Sequence, residues 1–159
     1  MIIPLLLALA AQASSGKLPP AGPIPAPSAD EQLVMQPVNA VFAGIAARDP
    51  AAINAQLIPG GSATIVTEQP NGGRTVARST WAETLARFQP GPQKFEERLS
   101  NPAIDSDGSV AVVWGNYVFL IDGKVHHCGT DHFDLVRDST AWKIANVTFS
   151  ERATGCPAQ

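Results

Sequence analysis

The segment SVAVVWGNYVFLI (Ser109–Ile121), the dipeptide Asp122-Gly123 and the segment KVHHCGTDHFDLVR (Lys124–Arg137) decide the fold of this chain. Both segments are rich in β-branched and aromatic residues, which favour strands, and Asp-Gly between them is typical of a two-residue hairpin turn. A third segment of this kind, Ala141–Glu151, predicts a return strand. The carboxyl-terminal part of the chain therefore indicates an antiparallel meander.

The turn also predicts which side chains share a face of the sheet. With Asp122-Gly123 as the whole turn, Trp114 lies opposite Asp131. Because side chains alternate along a strand, we expect even-numbered residues before the turn and odd-numbered residues after it to face the interior. A bulge at Gly115 would reverse part of the first strand and turn Tyr117 inward.

Polar groups on this inner face predict a ligand pocket, because polar side chains are otherwise rare on the buried face of a sheet. In the predicted register they are Asn116, His127 and Asp131, and Gly129 leaves an open position opposite Asn116. Asp131 and His127 are also the candidates for a catalytic general base. The residues expected to contact a ligand are Trp81, Trp114, Asn116, Tyr117, His127, Asp131 and Phe133.

A purely structural interpretation of the same residues is simpler. A buried Asp131 can satisfy its hydrogen bonds on the indole of Trp114 or on backbone amides, as buried polar groups usually do. His127, near a strand end, can be half-exposed and inert, and the aromatic residues can belong to the core. The sequence leaves both interpretations open.

The residues before the meander predict helices and a short hairpin. Apolar residues between Leu33 and Ile45 recur at three- and four-residue steps, after N-cap candidates at 28–30. A second helix at 51–57, strands at 63–67 and 74–77, a third helix at 81–88 and a strand at 94–104 follow. This order predicts an α+β fold, in which a curved antiparallel sheet carries about three N-terminal helices on its concave face and forms a cone with a pocket.

The first 29 residues are predicted to lie outside this domain, which spans 30–159. Residues 1–13 form an apolar run that is too short to span a bilayer and ends in Ala-Gln-Ala, which is typical of a signal peptide cleaved between Ala13 and Ser14. A disordered apolar tail or a misplaced start codon is the alternative, because the run carries no Lys or Arg. Residues 14–29 contain five prolines and predict an extended linker.

Two cysteines, Cys128 and Cys156, lie in the predicted domain. In an exported chain an even number of cysteines favours a disulfide, and a link across this separation stabilises a fold by roughly 3–4 kcal/mol. Two buried free thiols are the alternative. With the signal peptide, the cysteines predict export to the periplasm or the extracellular space.

Composition and spacing exclude several classes of function. The formal net charge is −3 and no Lys/Arg cluster is present, so we expect neither nucleic-acid binding nor attachment to an anionic membrane after signal removal. His126, Cys128 and His132 share a strand face, but the two histidines are roughly 20 Å apart, too far to bind one metal ion. No nucleophile motif is recognisable. We therefore expect no metal and no cofactor.

The carboxyl-terminal third resembles the nuclear-transport-factor-2-like (NTF2-like) superfamily. The residues that carry the resemblance are Val113-Trp114, Tyr117, Phe119, Asp122-Gly123-Lys124, His127-Cys128-Gly129, Asp131, Phe133, Leu135, Trp142-Lys143-Ile144, Arg152 and Cys156. Within the superfamily, the chain is most similar to exported bacterial proteins catalogued as lumazine-binding-like domains. The resemblance implies a cystatin-like α+β cone, and a homodimer through the convex face of the sheet.

The resemblance leaves the function open, because the superfamily includes ketosteroid-isomerase-like enzymes, polyketide cyclases, dehydratases and non-catalytic binding domains. Our first expectation is an exported, non-catalytic domain that binds a small apolar or mixed-polarity molecule in its pocket. The alternative is an isomerase or dehydratase of the ketosteroid-isomerase type, with Asp131 or His127 as general base and Tyr117 as a donor if it turns inward. A third option is an interaction module whose cone is filled by its own side chains.

Overall fold

The computed structural model describes residues 28–139 and 141–157; the predicted signal peptide, its cleavage site and most of the predicted linker lie outside the described residues. The elements in chain order are α1 (Ala29–Ala47), α2 (Pro50–Asn54), β1 (Leu57–Glu68), β2 (Arg74–Thr80), α3 (Trp81–Leu85), a 3-10 turn (Ala86–Phe88), β3 (Phe95–Ser106), β4 (Val110–Ile121), β5 (Lys124–Asp138) and β6 (Ala141–Glu151). The predicted α+β class is confirmed. None of the described helices is long and apolar enough to cross a membrane.

Helix α1 begins and ends where its sequence favours caps. Ser28 accepts a hydrogen bond from the backbone of Glu31, and the Glu31 side chain accepts one from the backbone of Ser28, which is a capping box. The helix ends before Arg48, which adopts a left-handed conformation (φ 53°). Its apolar stripe is buried and packs over the sheet, as Val34, Val38, Val41 and Ile45 show.

The six strands form one sheet in the order β2-β1-β6-β5-β4-β3. The predicted antiparallel meander comprises β3 to β6. Strand β1 then joins β6 in parallel, and β2 pairs with β1 to form one edge of the sheet. The other edge is β3, so the β4–β5 hairpin lies inside the sheet, between β3 and β6.

Strand β1 begins at Leu57, earlier than the predicted 63–67, and Pro59-Gly60-Gly61 lies inside it. The register with β6 shifts between Leu57 and Ser62, so this part of β1 is irregular. A side chain at Gly61 would meet the carbonyl oxygen of Ala145 at 1.9 Å. Glycine is therefore required where β1 packs closely against β6, and helix α2 is correspondingly short.

The register of the β4–β5 hairpin differs from the predicted one by one residue. The turn at Asp122-Gly123 forms as predicted, with positive φ at both positions. Immediately beyond it, β5 carries one extra residue, His126, which forms a β-bulge. Phe119, rather than Val118, therefore pairs with His127, and every later pair is offset in the same way. The prediction that even-numbered residues of β4 face the interior is wrong.

The disulfide between Cys128 and Cys156 is present, with 5.6 Å between the two Cα atoms, and this prediction is confirmed. The backbone of Cys128 also exchanges two hydrogen bonds with the backbone of Arg152. The chain after β6 is therefore fastened to the middle of β5.

Candidate functional site

A cavity of about 320 Å³ lies between the helices and the inner face of the sheet. Helices α1, α2 and α3 contribute apolar side chains, among them Val41, Ile45, Ile53 and Leu85. The sheet contributes further apolar and aromatic groups from β1, β3, β4, β5 and β6. Most of the cavity wall is therefore apolar, and it contains only a few polar side chains.

Five of the seven residues predicted to contact a ligand line this cavity: Trp81, Tyr117, His127, Asp131 and Phe133. Four of them are nearly inaccessible to solvent, whereas His127 is half-buried. The predicted inner face of β5 is therefore the observed one. The bulge at His126 leaves the inward-facing residues of β5 as predicted, but it reverses which residues of β4 face the interior.

The other two predicted contact residues, Trp114 and Asn116, do not reach the cavity. They lie on the convex face, where the Trp114 side chain is 56% exposed and packs beside His132. Asn116 is exposed and accepts a hydrogen bond from Thr130 Oγ1. Both assignments are wrong because they depended on the parity of β4, which the bulge reverses.

Tyr117 does turn inward, although no bulge occurs at Gly115. Its hydroxyl donates a hydrogen bond to the carbonyl oxygen of Ser150 at 3.0 Å. Burial, together with the nearby carboxyl groups of Asp131, Glu97 and Glu151, raises the pKa of Tyr117. Tyr117 therefore stays protonated, and its proton is directed at the backbone of β6.

Asp131 is almost fully buried in the cavity wall, with 3% of the residue exposed. It lies opposite Gly115 in β4, and Leu99 occupies the space where a side chain at 115 would lie. The expected open position at Gly129 pairs with Tyr117 instead, and the backbone of Ser150 approaches it closely. Asp131 Oδ2 has no hydrogen-bond partner among the described residues.

The partner of Asp131 is Glu97, a residue that the sequence reasoning missed. Glu97 lies on β3 and lines the cavity together with Asp131, and the two carboxyl groups shift each other's pKa. Burial raises the pKa of Glu97 to about 7. Burial, and next the charge of Glu97, raise the pKa of Asp131 well above its ordinary value. Because both pKa values are raised, the pair keeps at least one proton at neutral pH.

Among residues 28–139 and 141–157, no ion pair joins a basic side chain to Glu97 or Asp131. The ion pairs found within the described part of the chain join Arg74 to Glu68, Arg98 to Glu96, and His132 to Asp134. All three lie away from the cavity.

A signal for Glu97 does exist in the sequence. In the segment Phe95-Glu96-Glu97-Arg98-Leu99, alternation places Phe95, Glu97 and Leu99 on one face. The flanking residues on that face are apolar, so an acidic residue between them indicates a buried carboxyl. Glu96 and Arg98 point to the other face, where they pair with each other.

The two histidines beside the turn, His126 and His127, also line the cavity. The ring of His127 stacks on Phe119 with 4.8 Å between centroids. Burial lowers the pKa of His127, which keeps the ring neutral at pH 7. Its Nδ1 lies 2.9 Å from Nδ1 of His126. No three His, Cys, Asp or Glu side chains within residues 28–139 and 141–157 come together as metal ligands.

Comparison with known proteins identifies the fold. No family model and no curated protein sequence matches the chain. A cystatin-like protein of unknown function from Nostoc punctiforme superposes with a TM-score of 0.61, at 11% identity over 80% of this chain and 95% of that one. An NTF2-like protein from Novosphingobium aromaticivorans superposes with a TM-score of 0.60, at 13% identity over 81% and 84%.

A third similar structure, from the same Novosphingobium species, is provisionally named a scytalone dehydratase; it superposes with a TM-score of 0.60, at 13% identity over 82% of this chain and 89% of that one. Identities this low show the fold alone. The chain therefore has the NTF2-like, cystatin-like fold, which is compatible both with ligand binding and with catalysis.

Proposed function

We propose that this chain is an exported, non-catalytic domain that binds one small, mostly apolar molecule in the cavity. The observation that carries the proposal is the cavity itself, with an apolar wall and one buried polar cluster at Glu97, Asp131 and Tyr117. Ligand pockets have this composition, because apolar area supplies affinity and a few polar groups supply orientation. A volume of about 320 Å³ suits a compact ligand.

The open cavity also supports this proposal over an interaction module with a filled interior. A module that only scaffolds other proteins gains stability by packing its core to native density, and each cavity it leaves costs stability. Here the side chains of α1, β4 and β5 leave the space between them open. A ligand would restore the missing contacts.

Export is part of the proposal, and the Cys128–Cys156 disulfide supports it. Disulfides of this kind persist in oxidising compartments such as the periplasm and are rare in the cytosol. The resemblance to lumazine-binding-like exported proteins is a second, finer element of the proposal. It makes a lumazine one of the compounds that a binding screen should contain.

Filling the cavity tests the proposal. The protein, purified from an oxidising compartment, would be screened by thermal shift and calorimetry against small apolar compounds and a lumazine. Ala63→Leu adds side-chain volume inside the cavity, whereas Val112→Leu adds the same kind of volume on the convex face. Binding should be lost in the first variant and kept in the control. Equal binding by both would contradict a ligand inside the cavity.

A second candidate, a proton-transferring isomerase or dehydratase, is favoured by one observation. Burial brings the pKa of Glu97 to about 7, and a general base works best when its pKa lies near the working pH. The Glu97–Asp131 pair would then replace Asp131 or His127 alone as the base. Tyr117 already donates to Ser150, so a substrate oxygen would need protonated Asp131 as its donor.

A homodimer through the convex face is the remaining element of the proposal. That face exposes Trp114, Val110 and Val112, with 56%, 54% and 38% of their surfaces accessible. Large apolar side chains in adjacent exposed positions are typical of an interface. A second copy of the same face would cover them by two-fold symmetry.

A further inference from the structure

We propose that the cavity selects a planar aromatic molecule, so that its ligand carries an aromatic ring system rather than a saturated ring or a flexible acyl chain. This inference rests on the proposed function and specifies its ligand class. Two properties of the cavity wall carry it: a row of aromatic rings that contact one another, and the stiffness of the apolar side chains around them.

The aromatic residues of the chain are concentrated at the cavity. The six Phe, three Trp and one Tyr all lie in the described part of the chain, and seven of these ten residues line the cavity. The exceptions are Phe42, Trp114 and Trp142. Five of the seven lie on the strands of the meander, namely Phe95, Tyr117, Phe119, Phe133 and Phe149. The sheet side of the cavity is therefore largely aromatic.

One end of this wall is a row of three phenylalanine rings. Phe88, at the end of the 3-10 turn, meets Phe95 of β3 edge to face, with 6.4 Å between centroids and 83° between ring planes. Phe95 meets Phe119 of β4 at 5.4 Å and 56°. Aromatic pairs favour such distances and angles, so the rings stabilise one another in these orientations.

The row continues through His127. Its ring stacks on Phe119 with 4.8 Å between centroids, and Tyr117 meets it edge on at 5.7 Å. Tyr117 also meets Phe149 of β6 at 6.3 Å. Burial lowers the pKa of His127, which keeps this member of the row a neutral aromatic ring. The row crosses the wall from the 3-10 turn to β6, and a ligand ring can join it through the same kinds of contact.

The rest of the apolar wall is stiff. It consists mainly of β-branched side chains, among them Ile45 and Ile53 from the helices and Ile144 from β6. Such side chains have restricted rotation about χ1, whereas methionine is adaptable, and no methionine lies among the described residues that line the cavity. A wall of this kind favours a rigid ligand, which loses little conformational freedom on binding, over a flexible chain that must be ordered.

Contacts between rings have a consequence that differs from that of apolar burial alone. A saturated ring system with the same carbon skeleton has more apolar surface, so burial alone favours the saturated molecule. Ring contacts favour the aromatic molecule, and two or three of them correspond to a preference of about tenfold. The sign of the preference therefore shows whether the rings of the wall contact the ligand.

Three neutral alcohols with the same number of carbon atoms test the inference: 2-naphthylmethanol, decahydro-2-naphthylmethanol and 1-undecanol. Calorimetry at neutral pH, with the protein purified from an oxidising compartment, measures the affinity of each. The naphthyl alcohol should bind about tenfold more tightly than either of the other two.

The variant test replaces one ring of the row, and one ring outside it, by leucine. Phe119→Leu removes the ring between Phe95 and His127, and the preference for the naphthyl over the decahydro alcohol should fall to about threefold or less. The control Phe42→Leu removes a half-buried ring that contacts Phe133 but does not line the cavity, and it should keep the preference. If Phe119→Leu does not fold, Phe95→Leu, at a half-buried position of the same row, carries the test.

Two results would overturn the inference and leave the proposed function intact: a decahydro alcohol that binds as tightly as the naphthyl alcohol, or an aromatic preference that is unchanged when a ring of the row is replaced. If none of the three alcohols binds, the inference fails. The Ala63→Leu comparison then decides separately whether the cavity binds any small molecule.

Discussion

The carboxyl groups of Asp131 on β5 and Glu97 on β3 lie close enough to shift each other's pKa, although β4 runs between these two strands. Both groups lie on the inner face of the sheet and line one apolar cavity. Their raised pKa values keep a proton inside the fold at neutral pH. This single relationship determines the polarity of the cavity and much of how the protein should respond to pH.

Replacing Glu97 by Gln should change the dependence of stability on pH. The pKa of Glu97 is about 7 in the folded chain, against about 4.3 in an unfolded one. Between these values the unfolded chain releases a proton that the folded chain keeps, so the free energy of unfolding falls as pH rises. Below the pKa of the unfolded chain and above the pKa of the folded chain, Glu97 does not change how the free energy of unfolding depends on pH.

The Glu97→Gln variant should therefore gain stability over the unmodified protein as pH rises from about 4 to 7, by about 3 kcal/mol at most. Urea unfolding at several pH values measures this difference. His127, whose lowered pKa acts in the opposite direction, is present in both proteins and cancels. Glu96→Gln is the control, since Glu96 has a lowered pKa and lies outside the cavity. Parallel stability curves for Glu97→Gln and the unmodified protein would contradict burial of Glu97.

Removing the hydroxyl of Tyr117 should destabilise the fold. The Tyr117→Phe variant keeps the ring but leaves the carbonyl oxygen of Ser150 without its donor. Loss of one partner from a buried hydrogen bond costs about 1–3 kcal/mol. Equilibrium unfolding in urea measures the change. An unchanged unfolding midpoint would show that the Tyr117–Ser150 hydrogen bond is not formed in solution.

Removing the disulfide should also destabilise the fold. The link between Cys128 and Cys156 closes a segment with a sequence separation of 28 residues. The entropy of the unfolded chain rises when it is removed, which predicts a loss of about 3–4 kcal/mol for a Cys128→Ala/Cys156→Ala variant. Thermal unfolding with and without a reductant checks this. The variant itself is the control, because reductant should have no effect on it.

The convex face should mediate self-association. Trp114→Ser removes the largest exposed apolar side chain of that face, and it should shift a dimer toward monomer. Sedimentation velocity over a range of concentrations measures the change. Leu33→Ser, at an exposed apolar position on helix α1, serves as the control. A monomer at all concentrations in the unmodified protein would contradict the proposed dimer.

The faces of β4 show why the predicted register failed. Its odd-numbered residues include Ala111, Val113, Tyr117 and Phe119, and its even-numbered residues include Val110, Val112, Trp114 and Val118. Both sets are apolar, so the alternation of side chains does not indicate which face of β4 is buried. The choice depends on a single extra residue, His126, which no local pattern marks as a bulge. Strand β5 alternates more clearly, and its inner face is the predicted one.

The local sequence determined the strands of the meander, the turn at Asp122-Gly123 and the start of α1 near Ser28, because each depends on neighbouring residues. It also determined which cysteines pair, because two cysteines permit only one pairing. Only the tertiary structure decided that Glu97 meets Asp131. Their encounter depends on the bulge and on the order of the strands, and both are set by how the helices and the sheet pack together. The chemistry of the cavity therefore follows from contacts between residues that are distant in the chain.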